Sequence, residues 1–262
     1  MTSAQGAAAT RAEFALSTRG VRKEFGSTVA VDGIDLDIPP GSFYGIVGPN
    51  GAGKTTLLSM ATGLLTPDAG TVHVHGVSLW DTPEQAKPML GVLPDGLRTF
   101  DRLTGAELIS YAGLLRGMHP DVVRERRDDL LVALDLSSAG RTLVTDFSAG
   151  MTKKIGLACA LVHAPRVLVL DEPFEAVDPV SATAIRRILR SFVDSGGTVV
   201  LSSHVMALVE QLCDQVAVVA DGKVMASGAL DDVRGDTDLE TTFVTLVGSG
   251  DEERDLSWLQ QS

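Results

Sequence analysis

The chain has 262 residues, enough for one large domain or one domain with a subdomain. Hydrophobic residues make up 44% and charged residues 21%, which provides for a packed core and excludes wholesale disorder. Thirty-four acidic against 22 basic side chains give a formal net charge of −12, which argues against a nucleic-acid-binding surface, where phosphate neutralisation needs a basic patch.

Residues 1–13 read as a small, polar leader without the apolar core of a secretory signal. No apolar run reaches the ~18 residues that would span a bilayer, so any work on a membrane calls for another subunit to supply the spans. Short β-type runs are expected at 14–17, 28–31 and 34–38, with Asp32-Gly33 as a hairpin signal between the last two. Pro39-Pro40-Gly41 closes this part. An apolar strand at 43–47 then feeds a glycine-rich loop and a helix over 54–64, which turn chemistry at 67–70 stops. A strand pair broken at Gly76 occupies 71–79, and a short strand 90–93 ends at Pro94.

Helical spacing takes over from 103 to about 136, in Leu108, Tyr111, Leu115, Val122, Leu130, Leu131 and Leu134, and reads as an all-helical insertion between β-rich parts. The β/α alternation then resumes. Residues 167–170 form a continuous apolar strand of the kind buried on both faces of a parallel sheet. Asp178-Pro179 starts a helix as N-cap and first-turn proline. Residues 198–201 and 216–219 are further buried strands, Asp221-Gly222 is a turn, and 239–247 is a short amphipathic run before an acidic tail, 249–262. Cys159 and Cys213 sit in apolar helical patterns and read as small core residues.

The motif that organises the chain is Gly48-Pro49-Asn50-Gly51-Ala52-Gly53-Lys54-Thr55-Thr56, placed between a strand and a helix, as a phosphate-binding loop (Walker A) requires. A triphosphate is a dense anion and needs several N–H donors converging on one point. Gly48, Gly51 and Gly53 let the backbone curl into that nest, and the free N–H groups of the following helix add to it. Lys54 is expected at the β- and γ-phosphates and the Thr55 hydroxyl at Mg²⁺. The second motif is the strand 167–170 running into Asp171-Glu172 (Walker B). Asp171 is placed to hold Mg²⁺ through water, and Glu172 to polarise the water attacking the γ-phosphate.

A third motif, Phe147-Ser148-Ala149-Gly150-Met151, precedes an apolar helix. Here the chain resembles the nucleotide-binding subunits of ABC transporters, whose signature usually reads Leu/Phe-Ser-Gly-Gly-Gln. Ser148 is an ordinary helix cap on one reading. On the other, Ser148 and Gly150 make a second anion site aimed at a nucleotide on another subunit. Within the resemblance, His204 in Leu201-Ser202-Ser203-His204 looks like the switch histidine at the γ-phosphate. Glu175-Ala176-Val177-Asp178 looks like the D-loop between two subunits, and Phe25 like the aromatic that stacks on adenine, with a core aromatic as the competing reading. The likeness covers about residues 14–248, with a helical subdomain at about 103–150. Met151 and the segment 238–246 are similar to the multidrug and antibiotic exporter class.

Two departures stand out. The family's Q-loop Gln is absent, and Pro94 runs into Asp95, whose carboxylate is expected to take the Gln's place beside Mg²⁺. Ala149 replaces the first signature glycine, which is tolerable if that residue is helical and costly if its φ is positive.

The resemblance implies an α/β P-loop NTPase core with a mixed sheet, an N-terminal antiparallel β part and an inserted helical subdomain. It implies an ATPase using ATP and Mg²⁺, dimeric as an ATP sandwich, held at the inner face of the cell membrane by a separate permease and working in export. A soluble non-transport ATPase of the same family and an ATP-binding regulatory module are the alternatives. Residues 97–100 are the candidate permease contact, with local packing as the other reading. His73 and His75 alternate on a strand without a third metal ligand, His163 is expected at a helix C-terminus where the dipole suits it, and His119 in a loop.

Overall fold

The computed structural model describes residues 13–96, 100 and 102–248. Two sheets organise the chain. Strands β1 (Leu16–Phe25) and β2 (Thr28–Ile38) form a long antiparallel hairpin that turns at Gly26 and Ser27. Asp32-Gly33 is therefore not a hairpin turn. β2 runs straight through it, Gly33 takes a positive φ of 71°, and the register with β1 shifts over the same stretch. The hairpin joins β4 (Ala69–Val74) and β5 (Val77–Ser78) in a four-stranded sheet of order β2-β1-β4-β5.

The second sheet has the order β10-β9-β3-β8-β7-β6. Its strands are β3 (Phe43–Val47), β6 (Leu90–Leu93), β7 (Val167–Leu170), β8 (Thr198–Ser203), β9 (Gln215–Ala220) and β10 (Lys223–Ala229). All pair in parallel except β10, which returns antiparallel to β9 through Asp221-Gly222. The side-chain period of two places each interior strand in two cores at once. Phe43, Val47, Leu168, Leu170, Val199 and Leu201 face one apolar cluster, and Tyr44, Ile46, Val167, Val169 and Val200 face the other.

The helices fill the two sides. Helix α1 (Lys54–Ala61) is sandwiched between the sheets through Leu57, Leu58 and Met60, and ends three residues earlier than its apolar pattern predicts. After the single turn α2 (Pro83–Ala86), the inserted part holds α3 (Gly105–Leu115) and α4 (Pro120–Ala133), as the spacing predicts. Helix α5 (Ala149–Leu161) returns the chain to the sheet. Its approach to β6 is so close that a Cβ on Gly91 would lie 2.3 Å from the Ala160 carbonyl oxygen. Helices α6 (Pro179–Asp194) and α7 (Met206–Leu212) cover the same face, followed by α8 (Leu230–Arg234) and α9 (Leu239–Val247). No helix of the described residues is long and apolar enough to cross a membrane. Residues 1–12 of the expected leader and the expected tail, 249–262, lie outside the described residues.

One histidine expectation changes. His163 follows the end of α5, but its ring bonds the Leu90 carbonyl at 3.0 Å. Burial, then the charge of Arg116, pushes its pKa down to about 4, so no imidazolium meets the helix dipole at neutral pH. His119 lies in the loop before α4, as expected, and caps that helix by accepting the Asp121 N–H.

Candidate active site

Four strands of the parallel sheet end on one side, and each delivers a site residue. The loop after β3 carries Gly48 to Thr56, the end of β6 leads to Asp95, β7 ends at Asp171-Glu172, and β8 ends before His204. This is the carboxyl edge at which parallel α/β sheets bind ligands. Asn50, Gly51, Gly53, Lys54, Thr55, Thr56, Asp95, Glu172 and His204 line one cavity of about 370 Å³.

The loop shows why its glycines are needed. Gly53 has φ 100°, and a Cβ there would sit 2.3 Å from the Ala30 carbonyl oxygen. At Gly48 a Cβ would lie 2.1 Å from the Val219 carbonyl oxygen. Gly51, at φ 83°, opens to free space. The Lys54 ammonium is buried and donates to the Gly48 and Pro49 carbonyls at 2.8 and 3.1 Å, which holds it across the loop it follows.

Glu172 is gripped on every side. Its carboxylate is 3.1 Å from His204 Nδ1 and 3.7 Å from Lys54 Nζ. Its own backbone is left-handed, φ 46°, in a residue with a full side chain. Such a conformation persists only where the surroundings hold it. Ser202 Oγ accepts the Glu172 N–H at 2.9 Å and donates to Asp171 Oδ1 at 2.5 Å, while the Glu172 carbonyl accepts from Lys153 Nζ at 2.8 Å. Neither Ser202 nor Lys153 is singled out by sequence reasoning. Ser202 left one signal, a hydroxyl in register with Val200 on an apolar stripe. Lys153 left none.

The oxygen donors fit magnesium. Thr55, Asp95 and Asp171 share the lining of a cavity of about 60 Å³ next to the first. Among the described residues no group of three or more His, Cys, Asp or Glu could cage a metal ion. A hydroxyl and carboxylates without such a cage suit an ion that keeps several waters and takes further oxygens from a phosphorylated substrate. Asp95 is half exposed. Its carboxylate accepts the Gly96 N–H and lies 3.7 Å from Lys153 Nζ.

Ser148 and Gly150 stand apart from this cavity. Ser148 is an exposed N-cap whose Oγ accepts the Met151 N–H at 3.2 Å, and Ala149 is the first helical residue, so its methyl group meets no backbone penalty. Gly150 is buried, and a Cβ on it would lie 2.9 Å from Asp178 Oδ2 and 3.0 Å from Ser181 Oγ. Asp178 caps α6 through the Val180 and Ser181 N–H groups, as expected, and those hydrogen bonds hold its carboxyl below the usual range. The starts of α5 and α6 thus abut, and Gly150 is the small residue that permits it.

Phe25 lies at the β1–β2 hairpin, 52% exposed, with Lys23 Nζ 5.8 Å from its ring centroid; it is not a core aromatic. Phe100 is also exposed and meets Tyr111 edge-on at 5.2 Å. The other members of the 97–100 stretch lie outside the described residues.

Residues 31–175 match a family model described as ABC transporter. The daunorubicin resistance ATP-binding protein DrrA3 of Streptomyces coeruleorubidus is 34% identical over 239 residues, 91% of this chain and 76% of that protein. The linearmycin resistance ATP-binding protein LnrL of Bacillus subtilis is 31% identical over 231 residues, 87% of this chain and 74% of that one. Among solved structures, an ATP-binding subunit of an ABC transporter superposes with a TM-score of 0.82 at 26% identity, covering 88% of this chain and 98% of the other.

Proposed function

Because this chain belongs to the ABC transporter family, as an ATP-hydrolysing subunit of the exporter class, we propose that its turnover is carried by Glu172, His204 and Lys54 around the γ-phosphate of ATP. The observation that supports this most is the convergence of all three on one cavity bounded by the phosphate loop. The loop N–H groups and the start of α1 receive the phosphates. The Glu172 carboxylate takes the proton of the attacking water, and His204, bonded to the same carboxylate, keeps it aimed at that water. Lys54 stabilises the charge that gathers on the phosphate oxygens. Mg²⁺ would be held by Thr55 and Asp171, with Asp95 at the same corner, and would neutralise phosphate charge. Phe25, exposed at the mouth of the hairpin, offers its ring to the adenine.

Residues 14–248 form the ATPase domain in this reading, with the helical subdomain at about 103–150 between a leader and an acidic tail. Ser148 and Gly150 serve the ATP of a second copy. The support is that Ser148 caps an exposed helix start, and neither residue lines this chain's own cavity among the described residues. Two copies closing over two ATP molecules, and opening on hydrolysis, would form a ligand-biased switch. The chain would act at the cytoplasmic face of the membrane through a separate permease, which reads the cargo.

The test is ATP turnover by Glu172→Gln. Rate is expected to fall by about 10²–10⁴, the range for removing a general base, while ATP binding persists. Wild-type turnover in that variant would remove Glu172 from the chemistry, and failure to co-purify with any membrane subunit would remove the transport role.

A further inference from the structure

The strained backbone of Glu172 has two grips of different origin. Ser202, which accepts its N–H, is fully buried in the centre of the parallel sheet and cannot move without the sheet. Lys153, which donates to its carbonyl, comes from the second turn of α5, the helix that Ser148 caps and whose start abuts that of α6. Lys153 also faces Asp95, but that pair is 3.7 Å apart with Asp95 about half exposed, so solvent screens it. The 2.8 Å bond from an ammonium to a carbonyl, on a side chain only 15% exposed, is the stronger of the two contacts.

We infer that Lys153 is a positioning residue for Glu172, gripping its carbonyl so that the aim of the carboxylate depends on where the first turns of α5 sit. The inference rests on the reading of Glu172 as the group that acts on the attacking water. It gives the signature helix a second task. Besides facing another copy's nucleotide, the helix sets its own chain's carboxylate through a lysine one turn further in. Asp95, 3.7 Å from Lys153 Nζ at the entrance to the helical insertion, is a second and weaker neighbour of the same lysine.

The experiment uses the full chain with Lys153→Met, Lys153→Arg and Glu172→Gln, measuring kcat, ATP affinity and the Mg²⁺ concentration for half-maximal rate. Misplacing a reacting group by a fraction of an ångström to one ångström costs up to about 10²-fold, so Lys153→Met is expected to lower kcat about 10-fold or more. ATP affinity should stay within about twofold of wild type, since no phosphate contact is removed. Lys153→Arg should recover most of the rate, because a guanidinium reaches the same carbonyl. Wild-type kcat in Lys153→Met overturns the inference, as does a matching loss of ATP affinity or an arginine variant no better than methionine. A lowered Mg²⁺ requirement at unchanged kcat also overturns it, because Lys153 would then be only a counter-charge for Asp95. Turnover surviving in Glu172→Gln sinks the underlying reading itself, whereas turnover lost there and kept in Lys153→Met sinks this inference alone.

Discussion

Gly53 illustrates how little freedom a phosphate loop has at the level of one residue. Its φ of 100° is open to glycine and strained for any other residue, and the Ala30 carbonyl fills the space a methyl group would need. Gly53→Ala therefore faces both backbone strain of about 1–3 kcal/mol and a clash with main chain that no rotamer relieves. ATP affinity is expected to fall at least 10-fold, with a lower unfolding midpoint in urea; equilibrium binding and denaturation measured on the same preparation check both. At this scale the residues that line the two cavities beside the phosphate loop were legible. Lys54, Asp171, Glu172 and His204 each stand at the end of an apolar strand or in a loop of fixed spacing. The groups that hold them were not. Ser202 reaches Glu172 across 30 residues of chain and Lys153 across 19, and no local pattern records such meetings.

Elements meet at distances that depend on single missing side chains, and β6 with α5 is the tightest case. A Cβ on Gly91 would overlap the Ala160 carbonyl oxygen and would also crowd Leu168 and Pro165. Overpacking of this kind typically costs about 1–3 kcal/mol, so Gly91→Ala should lower stability by at least that much in urea denaturation while leaving the loop residues untouched. Element bounds were read correctly where an apolar run is closed by turn chemistry on both sides, as at β6, β7 and α9. They failed where a turn residue lies inside a long paired strand. Asp32-Gly33 has the composition of a hairpin, but β1 offers a partner along the whole length of β2, and the register shift absorbs the glycine. Helix α1 was read too long because Leu64 and Leu65 continue its apolar pattern, although the chain has already turned at Gly63, φ 76°.

For the molecule as a whole, acid stability carries a specific signature. His163 is held neutral in the folded state, its pKa pushed down from 6.5 to about 4 by burial and then by Arg116. A depressed folded-state pKa means that stability is complete above 6.5 and is lost as the pH falls from there toward about 4, because only the unfolded chain gains the proton readily. His163→Gln keeps a donor for the Leu90 carbonyl and should shrink the loss of stability between pH about 7.5 and 5; an unchanged loss in denaturant titrations would place the acid sensitivity elsewhere. The order of the parallel sheet has a mechanical consequence as well. Strands β3, β7 and β8, which deliver the phosphate loop, Glu172 and His204, each have a bonded neighbour on both sides. Strand β6, which delivers Asp95 and leads into the helical insertion, is the edge. The proposed catalytic residues therefore stand on the middle of the plate, and the insertion joins it at the rim. A push on the insertion meets the margin first, and the Lys153 bond to the Glu172 carbonyl is the strut that carries it inward.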